Sequence, residues 1–439
     1  MIDKLKNIFK THIYLIVVVC VAALLKIFFS SFPAFETDMN SWEGWGYQLV
    51  QFGIPNFYNQ TSWTDYTPGY LYFLWLISLF KDSFLSDASV VGVEFIYKLV
   101  PVFADLATGV ILYLIVLKYL GIKQKNLAIT VSAIYFLLPH TTMNAAIWGQ
   151  ADSVHTFFLM LSWYFLLSQR LVMMVIFLTF ACVVKPLSGL VAPVILILLF
   201  QQTIKKQILL GLSAVATFYF TTFPFWGFNA PVEFFSQLRS SYDVYPYSSI
   251  NLYNFWGAFG FWQDDRRLFW GSLTAEQVAQ VLSVLVFCLV FMFGLYLLRK
   301  TKDEKGRFIW YSCMGGMSIL LSITFSTRMH ERYLYHFFPF LLVFLVLYHE
   351  TFHTESRRIL LLLGTFILAS FSILHFINLY YVYTQYQFFN EGVPASNTFY
   401  YWVASSSTIF SWLHVALTFI LVAFSLKALH SWPKQLFTQ

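Results

Sequence analysis

Long apolar runs, separated by short polar breaks, account for most of the chain. Crossing the hydrocarbon of a bilayer takes about 20 apolar residues in a helix. The runs at 13–32, 93–118, 126–140, 153–169, 171–184, 186–202, 207–224, 277–298, 308–325, 333–349, 358–378 and 405–427 predict about twelve such helices. Some are short for a crossing, above all 171–184. Residues 171–202 form either one kinked helix or a hairpin. Pro186 lacks a backbone donor and clashes with the preceding turn, so the pattern predicts a hairpin with Lys185-Pro186 at its tip. Three segments depart from the pattern: 33–92, 225–276 and 379–404. The first two are rich in Trp, Tyr and Phe, with patches such as Tyr70 to Phe80. They predict partly helical loops lying at the membrane interface, where aromatic rings sit well. The expected fold is all-α and polytopic, a single transmembrane domain over 1–439 with these three loops on one face.

Composition fixes the solvent. Hydrophobic residues make up 59% and charged residues 11%, whereas a soluble domain carries about 25% charged. Mean hydropathy is +0.66. So much apolar surface has no place around one water-facing core, which leaves a multi-pass membrane protein. The four cysteines, Cys20, Cys182, Cys288 and Cys313, lie inside apolar runs and read as small hydrophobes. The net charge of +6 is scattered over loops and forms no stripe, which argues against a nucleic-acid partner.

The basic residues carry topology instead. With the N-terminus inside, Lys4, Lys6, Lys10, Lys118, Lys123, Lys125, Lys205, Lys206, Arg299, Lys300, Arg357, Arg358 and Lys434 all fall on the inner face. A single kinked helix over 171–202 would reverse that bias downstream. The expectation is a plasma-membrane protein with both termini cytoplasmic. The first run has no small-residue cleavage site and reads as a retained span. Most acids then lie outside, with Asp3, Asp303, Glu304, Glu350 and Glu355 as the inner exceptions.

Four polar clusters stand on the expected outer face: Phe35-Glu36-Thr37-Asp38-Met39-Asn40, Trp63 to Tyr70, Trp148-Gly149-Gln150-Ala151-Asp152-Ser153, and Arg328-Met329-His330-Glu331-Arg332-Tyr333. Lys185 joins them, because the 14 residues of 171–184 climb only about 21 Å as a helix and leave it below the surface. Ionisable groups at such depth are costly and persist where they face a cavity or perform chemistry. Asp38 and Asp152 could accept a proton from a hydroxyl or hold a divalent metal. Lys185, Arg328, His330 and Arg332 could bind a phosphate, and on a helix Arg328 and Arg332 would share a face. Aromatic walls open to lipid suit a sugar head on a polyprenyl tail.

At these residues the sequence resembles the GT-C superfamily of polyprenyl-phosphate-sugar glycosyltransferases. Trp63 to Tyr70, with the aromatic stretch to Trp75, resembles the first-loop motif of the ER dolichyl-phosphate-glucose glucosyltransferases, and Asp38 stands where they carry a first-loop acid. Trp148-Gly149-Gln150-x-Asp152-Ser153, Lys185-Pro186 and Arg328 to Tyr333 resemble the bacterial relatives of the second GPI mannosyltransferase. The motifs run in order from about residue 35 to 340. The resemblance implies inverting transfer of a mannose- or glucose-like hexose from a polyprenyl phosphate to a lipid-linked or cell-surface glycan acceptor. It implies Asp38 as general base, Lys185, Arg328, His330 and Arg332 on the donor phosphate, and Asp65, Tyr66, Trp148, Gln150, Asp152 and Glu331 on substrate. Many members pair two acids in the first loop. Here Asp38 is followed by Met39, so no metal site is assigned and a divalent cation stays open.

Plainer readings stand beside these. Asp38 could be a solvated loop acid, Asp152 a helix N-cap, Asp65 a turn residue, and Arg328 a surface partner of Glu331. Asp105, within the second run, is either a buried hydrogen-bonded acid or part of the cavity. His140, His155, His336, His375 and His414 have no metal spacing. Asn59-Gln60-Thr61 is a glycosylation sequon. A polytopic lipid or sugar transporter, or a sugar-lipid binding protein without chemistry, would share the apolar pattern.

Overall fold

The computed structural model describes residues 2–61, 63–85, 89–351 and 357–430, with backbone only at 2–11, 90–91, 357–360 and 429–430. Glu355 and Lys434 lie outside the described residues, and the side chains of Lys4, Lys6, Lys10, Arg357 and Arg358 are likewise not described.

Every apolar run of the sequence is helical. Among the described residues, seven helical stretches are long and apolar enough to cross a membrane, Gly92–Leu120, Ala275–Lys300 and Thr398–Ala428 included. Shorter apolar helices cover Leu171–Val184, Pro186–Phe200 and Phe337–Thr351. Their outward residues are apolar, as at Leu212, Phe220, Val284 and Leu289, all more than half exposed. A helix apolar all round must be covered by protein or lipid. The fold is that of an all-α integral membrane protein.

The interior follows from the same logic. The helices Val90–Leu120, Asp152–Leu167, Glu304–Phe325 and Phe337–Thr351 are enclosed by the rest, and most of Glu304–Phe325 is buried. Trp163 packs edge-on against Phe340 at 4.7 Å in this core. The cysteines are free, with Cys313 buried.

The expected break at Lys185-Pro186 is present. Leu171–Val184 ends at Lys185, and Pro186–Val191 forms a 3-10 turn before Ala192–Phe200. The first aromatic loop folds into Glu36–Phe52, a short turn at Phe57–Gln60, and Pro68–Phe84. The second contains the helix Ala230–Val244 and a small hairpin pairing Leu268–Trp270 with Leu273–Thr274. The third differs from expectation. Most of 379–404 is not loop, because Arg357–Gln387 runs on into it and Thr398–His430 begins within it. Hydropathy falls after residue 378, but no Gly or Pro stops the helix before Gly392 and Pro394.

One polar cluster sits deep among the helices. Lys26 Nζ lies 2.9 Å from Asp105 Oδ2 and donates to Thr141 and Thr142, while Tyr135 and Tyr335 donate to Asp105 Oδ1. Asp105 is therefore a buried, paired acid and lines neither site cavity described below.

Candidate active site

Loops from six parts of the chain meet at one end of the bundle. The turn before Glu36–Phe52 is tied down by its neighbours. Lys98 Nζ donates to the Ser30 and Phe32 carbonyls, Glu94 accepts from the Ala34 amide at 2.9 Å, and Tyr383 donates to the Pro33 carbonyl. Phe35 then stacks on Trp148 at 4.4 Å. This places Asp38, in the first helical turn, against the third cluster. Trp148 Nε1 donates to Asp38 Oδ2 at 2.8 Å, and Gln150 Nε2 donates to the same oxygen.

The third cluster owes its shape to irregular backbone. Met143–Trp148 is π-helical and ends at Gly149, whose φ of 86° is left-handed. A side chain there would be strained and would meet Lys98 Cγ at 2.9 Å. Asp152 is fully buried. Its Oδ1 accepts from Lys185 Nζ at 2.5 Å and lies 3.6 Å from His155 Nε2, and its Oδ2 lies 3.8 Å from Arg332 Nε. It makes no capping bond at its helix start, so the N-cap reading gives way to an ionic one.

Asp65 and Tyr66 are held beside Lys185 by a close helix contact. Thr67 Oγ1 donates to the Val183 carbonyl at 2.7 Å, and Gly69 approaches the Val183–Val184 backbone so closely that a Cβ would sit 2.5 Å from it. The turn bond at this corner runs from the Tyr66 amide to Thr64 Oγ1 and does not use the Asp65 carboxyl. Asp65 Oδ1 has no partner among the described residues. Burial pushes this carboxyl up to about 6, partly offset by the nearby Arg332.

The fourth cluster is not helical, contrary to the expectation that Arg328 and Arg332 share a helix face. Arg328 has a left-handed φ of 62°, and its strand-like neighbours bridge to 250–251. The two arginines therefore diverge. Arg328 is held by Asp265 at 2.6 and 3.2 Å, Glu276 at 3.1 Å, Asp243 at 3.4 Å and the Tyr242 ring at 3.7 Å. It makes no bridge to Glu331. Arg332 reaches Glu331 at 2.9 Å and His330 Nδ1 at 3.3 Å, and its buried Nε has no hydrogen-bond partner among the described residues. Burial, reinforced by Arg332 and Lys185, holds His330 well below the usual histidine range, and so neutral. With Nδ1 accepting from Arg332, its Nε2 carries the proton and can donate. Burial raises the Glu331 carboxyl, with Arg332 opposing.

These groups enclose two cavities. One, of about 240 Å³, is lined by Lys185, Pro186, Tyr242, Arg328 and Tyr333, with Val184, Leu187, Leu238 and Met329 as apolar wall. The other, of about 120 Å³, is lined by Asp38, Ser41, Trp42, Trp45, Trp63, Asn251 and Glu331. Asp65, Tyr66, Tyr245, His330 and Arg332 line both. Lys185 spends one strong bond on Asp152 and lies 4.7 Å over the Tyr333 ring, so donors remain for the cavity. No three His, Cys, Asp or Glu side chains among the described residues group as a metal ligand set. Asp38 faces Trp148 and Gln150, Asp152 faces Lys185, and Arg332 lies between Asp152 and Glu331.

The sequence did not mark Tyr242, Tyr245 or Asn251, and it marked His155 only as a histidine without metal spacing. The aromatic richness of 225–276 was the only signal for the first two. Asn251 and His155 are placed by tertiary contacts alone.

Neither a family model nor a curated protein matches the chain. Among solved structures, ArnT from Cupriavidus metallidurans bound to undecaprenyl phosphate superposes with a TM-score of 0.48 at 12% identity, covering 94% of this chain and 77% of that one. Its apo form gives 0.45 at 12% identity, covering 92% and 76%. At that identity no side-chain role is carried across.

Proposed function

We propose that the protein is a GT-C-type glycosyltransferase that moves a hexose from a polyprenyl phosphate to a hydroxyl acceptor at the extracytoplasmic membrane surface. The observation that carries the reading is the pair of cavities meeting at Asp65, Tyr66, Tyr245, His330 and Arg332, with an acid in one and unspent cations in the other. The donor phosphate sits by Lys185, Arg332 and the Nε2–H of His330, with its isoprenoid along Val184, Leu187, Leu238 and Met329. Arg328, already saturated by acids, braces the wall of this cavity. The acceptor lies in the aromatic cavity beside Asp38.

The chemistry is one displacement. Asp38 takes the acceptor hydroxyl proton, its Oδ2 held by Trp148 and Gln150 so that Oδ1 faces the substrate. The acceptor oxygen forms the new bond to the anomeric carbon as the carbon–oxygen bond to phosphate breaks. Negative charge collects on the departing polyprenyl phosphate, where Lys185, Arg332 and His330 stabilise it. Base and leaving group on opposite sides of the sugar give inversion. Asp65 and Glu331 contact the sugar from the shared wall, while Asp152 fixes Lys185 and Arg332.

The test is transfer from radiolabelled polyprenyl-phosphate hexose to membrane lipid extract by the purified protein and its Asp38→Asn variant. Labelled product that the variant fails to make, while it still binds donor, supports the reading. Wild-type turnover by Asp38→Asn removes Asp38 as base. Uptake into proteoliposomes without product makes the protein a transporter.

A further inference from the structure

The Ala230–Val244 helix has three distinct faces. Leu238, Ser241 and Tyr242 line the Lys185 cavity, and Val232 and Phe235 are exposed and apolar. The third face repeats polar residues at helical spacing, Glu233, Ser236, Gln237 and Ser240, with Asn229 one turn earlier. It lines a separate cavity of about 410 Å³, within the range of about 300–1,000 Å³ found for small-ligand sites. Tyr58 and Trp226, 4.6 Å apart between ring centres, form its aromatic wall, and Asn59 lies at its edge.

Two features bear on what this open, solvent-facing cavity can take. Asn59, Asn229, Glu233, Ser236 and Ser240 spend no side-chain hydrogen bond on the protein among the described residues. Amide, carboxylate and hydroxyl groups converging beside an aromatic plane suit neighbouring sugar hydroxyls and the apolar face of a pyranose ring. The cavity is also wired to the active site. Tyr58 donates to the Tyr66 carbonyl at 2.8 Å, Gln237 to the Thr64 carbonyl at 2.7 Å, and Ser241 to the Asp65 carbonyl at 3.0 Å. The 64–66 segment is thus the partition between this cavity and the two that hold the chemistry.

We infer that the third cavity is a carbohydrate subsite that takes the distal sugars of an oligosaccharide acceptor. The inference rests on the glycosyltransferase reading for the word acceptor, and its binding chemistry stands on this face alone. The experiment uses the full chain in lipid nanodiscs. Maltotetraose and α-linked mannotetraose, with glucose and mannose as monomer controls, are titrated by saturation-transfer NMR. At least one tetrasaccharide is expected to bind the wild type more tightly than its monomer. Glu233→Ala, and Ser236→Tyr, which fills the cavity, are each expected to weaken that binding by about tenfold, the loss of one charged hydrogen bond. Unchanged thermal melting shows that the variants fold. Tetrasaccharide binding in Glu233→Ala reads the subsite and transfer in Asp38→Asn reads the assigned base, so the two are tested on separate axes. Absence of tetrasaccharide binding, or equal binding by wild type and both variants, overturns the subsite.

Discussion

Two ionic clusters of this protein hold similar side chains and differ in how completely those side chains are used. In the bundle interior, Lys26 meets Asp105 and two threonines, and Asp105 meets two tyrosines. In the site, Lys185 spends one hydrogen bond on Asp152, while Arg332 Nε, 3.8 Å from Asp152, and Asp65 Oδ1 have no hydrogen-bond partner among the described residues. The two arginines of the fourth cluster repeat the contrast within five residues, Arg328 enclosed by three acids and Arg332 left with spare donors. A buried charge is tolerated only when paired, so the saturated set reads as scaffold. Unspent donors bordering a cavity are the ones a substrate can use.

The contrast breaks first at Asp38. Asp38→Asn is expected to lower transfer by about 100- to 10,000-fold, the range of a general base, with donor binding retained. Radiolabel transfer and donor binding on the same preparation check this. Next come the arginines. Arg332→Gln is expected to raise the donor KM and cut kcat/KM by roughly tenfold or more, one charged hydrogen bond to phosphate. Arg328→Gln is expected to leave the donor KM near that of the wild type. It leaves Asp265 buried without its cation, at a cost of about 3–5 kcal/mol read as a lowered melting temperature. Equal effects of the two on KM would erase the distinction drawn here.

The pH profile sharpens the shared wall. Asp65 holds its proton up to about pH 6. Transfer that needs its carboxylate is expected to fall with one proton as pH drops through about 6, and Asp65→Asn is expected to remove that limb. Because the folded carboxyl titrates above its ordinary value, the folded state binds the proton more tightly than the unfolded chain. Its contribution to stability is greatest in acid and is lost as pH rises through about 6. Asp65→Asn is therefore expected to melt higher than wild type at pH 8 and to lose that advantage at pH 4. The smallest expected effect is that of chelation. Asp38 and Asp152 already accept hydrogen bonds from Trp148, Gln150 and Lys185, so EDTA is expected to change transfer by less than about twofold.

Apolar run length sufficed for the helices, because a bilayer leaves a buried backbone few ways to satisfy its hydrogen bonds. Proline placed the Lys185 tip for a local reason that needs no neighbour. The structure brings that lysine to Asp152 and Tyr333, members of the other clusters. The end of the hydrophobic run at 378 did not mark the end of its helix, since hydropathy reports the solvent and helix termination depends on Gly and Pro. The pattern placed Asp105 inside an apolar run and Asp152 in a polar cluster, and left a cavity role open for both. Distant residues, Lys26 for one and Lys185 with Arg332 for the other, made one scaffold and the other part of the site.

By itself, then, the order of residues determined the solvent of this protein, its helices and the short list of side chains able to perform chemistry. These are properties of local composition and backbone hydrogen bonding. Tertiary structure decided which charges are saturated and which are left open, and that the two site cavities share the Asp65–Tyr66 wall. Saturation is a matter of distance between residues hundreds of positions apart, which packing sets and sequence spacing does not encode.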